Sequence, residues 1–181
     1  MRWERLFDDL AAQWAAAQAQ ERAGEIADRT RRERATVGLL DRLLAHRGEL
    51  DVVVRGGQRY LGTPVDLGQD FVVLASGPAR HLLPLTALVQ ITGLGRQLGA
   101  PSEATAARRF GLGYALRGIA RDRAPVLLDD LGGRRLTGTI ESVGLDHIDL
   151  HEHHLDVPPR RDQITAVRTI PFAALMAVSS A

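Results

Sequence analysis

The chain contains no cysteine, no lysine and no asparagine, and only two methionines among 181 residues. Without thiols, disulfide staples and thiolate chemistry are excluded, so an apolar core has to hold the fold. Lysine and asparagine share AT-rich codons, and their joint absence points to a high-GC genome. No apolar run approaches the roughly 20 residues of a membrane span. The start, MRWERLFDDL, lacks the apolar core of a signal peptide. The expectation is a cytoplasmic protein with no membrane partner. A net charge of +1 gives no bulk attraction to nucleic acid, so any such binding has to come from local clusters of arginine. Catalytic signatures are missing too. Gly111 and Gly113 are followed by Leu116 where a dinucleotide loop needs its third glycine, and no nucleophile elbow occurs. Asp70 and Asp146 follow glycine turns, where Asp commonly bonds its own backbone. The chain reads as a non-enzyme that needs no cofactor.

What is present is a duplication. GGQRYLGTPVDLGQDFVVL, residues 56–74, aligns without a gap to GGRRLTGTIESVGLDHIDL, residues 132–150, at an offset of 76. Gly56/Gly132, Gly57/Gly133, Arg59/Arg135, Gly62/Gly138, Thr63/Thr139, Gly68/Gly144, Asp70/Asp146 and Leu74/Leu150 are identical. Composition alone gives roughly one or two matches in such a window. The match resumes where His81–Ile91 answers Arg168–Val178, with Pro84/Pro171, Ala87/Ala174 and Leu88/Leu175 identical. Gly-Gly between apolar runs is hairpin composition, and Gly62 and Gly138 sit where a strand has to bend. Alternation predicts inward pairs Val52/Leu128, Tyr60/Leu136, Leu67/Val143, Val72/Ile148, Leu74/Leu150, Leu83/Ile170 and Leu88/Leu175. On the outward face Val53, Val65, Phe71 and Val73 are apolar, whereas their counterparts are Asp129, Glu141, His147 and Asp149. A strand apolar on both faces is covered on both. The first copy is therefore expected to be packed over, and the second more exposed.

A short helix, a glycine in the second strand, G-x-D-x-h-x-h leading into the third and the ending h-P-x-x-A-h-x-x-h together resemble the Sm-like family. The resemblance covers about residues 37–92 and 113–179. The chain also resembles actinobacterial proteins with MRWE-type starts. The Sm-like resemblance implies an α+β fold: an N-terminal helix followed by two helix-plus-small-barrel repeats. The expected division is an amphipathic helix over 1–29, a first helix and barrel over 30–94, a linker over 95–104 and a second helix and barrel over 105–181. RNA-gripping Sm proteins carry an Asn in the first motif and Arg-Gly or Lys-His near the last strands. Here those regions offer Asp149 and Val73, and Leu83-Pro84 and Ile170-Pro171.

The N-terminal stripe Trp3, Leu6, Phe7, Leu10 and Trp14 recurs at helical spacing. It serves either as core packing or, through Trp3, Phe7 and Trp14, as a docking element for a protein partner or another copy. Ser102 is placed to cap the second repeat's helix. Candidate phosphate contacts for an RNA partner are Arg108 and Arg109 on that helix, Arg134 and Arg135 in the hairpin, and Arg160 and Arg161 in a Pro-Pro loop. His147, Asp149, His151 and His153 have even spacing, which on one strand face offers weak metal-ligand candidates. Small barrels of this kind leave strand edges open, and such edges find partners within a chain or in a ring.

Overall fold

The computed structural model describes Trp14, Gln18, Gln20 and Ala35, each helical, and residues 37–95, 109–155 and 163–180. Residues 1–38 form one compact unit and residues 39–181 another. The N-terminal stripe apart from Trp14, most of the expected linker, Arg108, Arg160 and Arg161 lie outside the described residues.

Alternating apolar positions in LDVVV make β1 (Leu50–Val54), with every second residue buried. The chain continues through β2 (Arg59–Leu67), β3 (Phe71–Ser76), β4 (Ala79–Pro84), a single 3₁₀ turn and β5 (Leu88–Thr92). The second half repeats the sequence of elements as β6 (Val126–Asp130), β7 (Arg135–Val143), β8 (His147–Glu152), β9 (Ala166–Pro171), a 3₁₀ turn and β10 (Leu175–Ser180). Two short helices precede the halves, α1 (Leu39–Ala45) packing on β2 and α2 (Leu112–Asp122) on β7.

The strands join in one antiparallel order, β5-β1-β2-β3-β4-β10-β6-β7-β8-β9. This corrects the expected α+β fold of an N-terminal helix followed by two helix-plus-small-barrel repeats. Among the described residues strand makes up 49% and helix 23%, and the ten strands form a single sheet. The reason lies at β4 and β10, where Leu82 pairs with Val178 and His81 with Ser179. Two edges that local pattern leaves unpaired satisfy each other's backbone groups, which fuses the halves.

The halves use matching registers. Leu50 opposes Gly62 as Val126 opposes Gly138, and Thr63 opposes Ala75 as Thr139 opposes His151. At Gly62 the strand passes so close to its neighbour that a Cβ would stand 2.5 Å from the Ala75 carbonyl oxygen. At Gly138 the distance to that of His151 would be 2.2 Å. Only hydrogen fits at either bend. In the hairpins Gly56, Gly57 and Gly133 have positive φ, so three of the four turn glycines are required by conformation.

Of the fourteen predicted inward residues all but Leu67, Val143 and Leu88 are buried, and those three are half-buried. The cores interlock across the joint. Phe71 and Leu82 from the first half pack with Leu112, Leu116 and Ile148, and Met176 and Ala177 from the second pack with Tyr60, Leu74 and Leu83. Phe71 and Val73 are thus covered by the other half, whereas Val65 is exposed. The expected exposure of Asp129 is corrected below. No described helix is long and apolar enough to cross a membrane.

Candidate nucleic-acid interface

Helix α2 separates its residues by face. Leu112 and Leu116 are buried and Ala115 and Ile119 pack beside them, while Tyr114, Arg117 and Arg121 are exposed. Tyr114, Arg117 and Arg121 share one stripe at helical spacing, and Phe110, ahead of the helix, sets its ring against Tyr114. The two rings lie with centroids 4.5 Å apart, tilted by 32°, and remain 44% and 54% exposed. Large aromatics that keep half their surface in water while paired have a face free to stack on something else. Arg109 adjoins the pair and is also exposed.

The helix is held in place from the other half. The Leu112 amide donates to the Asp70 carboxylate at 2.7 Å, and the Gln69 amide donates to the Phe110 carbonyl at 2.9 Å. Asp70 therefore caps α2 rather than bonding its own turn, and the helix starts at Leu112, with Gly111 and not Ser102 at its N-cap position. The sequence motif showed a carboxylate after a glycine turn, but its partner 42 residues away had no local signal.

The described candidate arginines fall in three places. Arg109, expected on the helix, lies in the turn ahead of α2, next to Phe110 in the chain, because the helix starts only at Leu112. Arg134 lines a hollow of about 350 Å³ with Arg168 and Thr169 beside β9. Arg135 is committed to Asp129, its Nε and Nη2 donating to the two carboxylate oxygens at 2.8 and 2.9 Å. Those hydrogen bonds, more than the Coulombic attraction, hold the guanidinium still more firmly protonated than usual.

Asp129 sits at the joint between the halves, only 4% exposed, and also accepts the Tyr60 hydroxyl. Burial pushes its carboxyl up, but the Arg135 and Tyr60 hydrogen bonds outweigh that and leave it below the ordinary range. Burial and the carboxylate push the Tyr60 phenol up. His81 packs against Tyr60 with ring centroids 5.1 Å apart, and its Nδ1 is 2.8 Å from Ser179 Oγ. Desolvation is the main reason the imidazole titrates lower than usual. Serine, histidine and aspartate are close here, yet the carboxylate serves Tyr60 and Arg135 instead of orienting the imidazole. The group has the bonding of a joint, not of a nucleophilic triad.

On β8, His147, Asp149 and His151 alternate on one face as spaced, but each is differently engaged. Asp149 accepts from Ser142 at 2.7 Å and from Thr169 at 2.6 Å, which lowers its carboxyl, and His147 Nδ1 meets Asp146 at 2.9 Å. His153 leaves the row altogether, because β8 ends at Glu152. It is buried, with Nε2 against the Thr139 hydroxyl at 2.8 Å and Nδ1 on the His154 carbonyl at 2.8 Å. A carbonyl only accepts, so Nδ1 carries the proton. Among the described residues no group of three or more His, Asp or Glu side chains is placed to hold a metal ion.

No protein-family model matches the chain, and no curated protein matches it.

Proposed function

We propose that the chain is a non-enzymatic tandem protein whose halves are divergent copies of one Sm-like five-strand unit, and that it binds single-stranded RNA. The equal registers at an offset of 76, on the segments that carry the Sm-like resemblance, support the first part. The observation that carries the second is the exposed Phe110–Tyr114 pair with Arg109, Arg117 and Arg121 around it. Nucleobases stack on aromatic faces, and guanidinium groups beside them take the phosphates with little base selectivity. With a net charge of +1, attraction is local to this stripe, so affinity rests more on stacking than on bulk charge.

Fluorescence anisotropy of a labelled uridine-rich oligonucleotide, repeated across salt concentrations, tests the proposal. Binding at low salt is expected, with Tyr114→Ala weakening it on the order of tenfold. Arg117→Gln is expected to flatten the salt dependence by about one unit of slope. Absence of binding at low salt, or binding that neither variant alters, removes the proposal.

Trp14, helical and 71% exposed, favours a second reading in which the N-terminal stripe docks a protein. Deleting residues 1–20 decides it. Loss of a captured partner with the sheet still folded supports docking, and unfolding assigns the stripe to a core.

A further inference from the structure

The joint between the halves forms a cavity that neither half lines alone. It measures about 420 Å³ and is bounded by strands of the first half and by α2 of the second. Phe71 and Val73 of β3 and Leu82 of β4 line it from one half, and Ala115 and Ile119 of α2 and Val178 of β10 from the other. A largely apolar hollow of this size between two packed units is a common place for a small molecule to bind.

The duplication shows that the strand pattern does not itself demand these apolar side chains. At the open end of the sheet the counterparts of Phe71, Val73 and Leu82 are His147, Asp149 and Thr169, all polar. Packing between the halves buries Phe71 and Leu82, but Val73, Ala115 and Ile119 stay half-buried around the hollow. An apolar body placed there would take their remaining surface out of water.

The charged residues at the cavity select the ligand. Asp66 of β2 and Asp122, the last residue of α2, both line it and are both exposed. Among the described residues neither carboxylate has an ion-pair partner, and Asp66 accepts the amide of its neighbour Leu67 at 2.8 Å. The cation beside them, Arg80, is turned onto its own hairpin, its Nη1 donating to the Gly77 and Ala79 carbonyls at 3.0 Å each. It pairs with neither aspartate, so two negative charges at the mouth are open to a positive one.

We propose that this cavity binds a small organic cation, with a compact apolar body seated against Val73, Leu82 and Ile119 and an ammonium group directed to Asp66 and Asp122. The site uses neither the Phe110–Tyr114 pair nor the arginines beside it, so it stands apart from RNA binding.

Isothermal titration calorimetry of the full chain near neutral pH is the test. The probes are adamantylamine, adamantanol and adamantane carboxylate, which carry one cage and a cationic, neutral or anionic head. A saturated cage has no π face to stack on Phe110 and Tyr114. Adamantylamine is expected to bind at a single site per chain, about tenfold more tightly than the alcohol, with the carboxylate weaker than the alcohol. In the double variant Asp66→Asn/Asp122→Asn, which changes only exposed side chains, that advantage is expected to shrink to about twofold or less. Ala115→Phe, which fills the hollow, is expected to remove binding of amine and alcohol alike with an unchanged circular dichroism spectrum. An amine that gives no saturable binding, or three heads bound alike, overturns the proposal. So does amine binding that keeps its full strength in the double variant or in Ala115→Phe.

Discussion

A carboxylate withdrawn from water is tolerated only when its charge and lone pairs are met. Asp129 meets this condition through Arg135 on its own half and Tyr60 on the other. Tyr60→Phe is expected to cost about 1–2 kcal/mol, and Asp129→Ala, which strands a buried hydroxyl and a guanidinium, about 3 kcal/mol. Urea unfolding of each variant measures both. The titration of the joint follows from the same contacts. Burial holds His81 below its usual value, so the unfolded chain binds that proton more readily than the folded one. Stability therefore falls as pH drops through the unfolded histidine value of about 6.5. Asp129, held low, contributes stability above the unfolded carboxylate value of about 3.9 that is lost as pH falls through its lower folded value. His81→Gln is expected to level the slope between pH 7 and 5 and to leave the loss below pH 4, read from melts across that range. None of this was legible from position 129. Its counterpart is Val53, and an outward polar residue on an alternating strand reads as solvent-facing until its partner is known.

Among the elements, the bends and the hairpins were the most legible, because glycine marks them directly. Gly138→Ala is expected to destabilise by about 3 kcal/mol, since the added carbon meets the backbone oxygen of His151, which cannot swing aside. Gly118, inside α2, offers the contrast. A Cβ there meets nothing within 4 Å, and Gly118→Ala is expected to stabilise by roughly 0.5–1 kcal/mol through helix propensity. Thermal melts of the two variants should therefore move in opposite directions. The helix boundary was less legible than the strands. The acceptor for its first amide is the Asp70 carboxylate, and a capping side chain from another element leaves no trace in the local pattern.

At the scale of the molecule, alternation and turn glycines describe each half equally well as a closed unit or as part of a longer sheet. Local signals end where β4 meets β10. What decides between the two is the exchange of Phe71 and Leu82 for Met176 and Ala177 between cores. Residues 39–181 are accordingly expected to unfold in one transition, with far-ultraviolet dichroism and tyrosine fluorescence coincident. Met176→Ala is expected to cost about 3 kcal/mol while keeping the transition single, because it opens a cavity in a core that both halves share.

The Tyr60 joint has one more consequence, during synthesis. While the ribosome has completed only the first half, the phenol and imidazole have neither Asp129 nor Ser179 to bond. Val53, which stands in the first half where Asp129 stands in the second, carries no acceptor, so nothing in that half's own copy of the pattern can take the hydroxyl's place. A single acidic residue that the duplication does not share thus makes the early half wait for the late one.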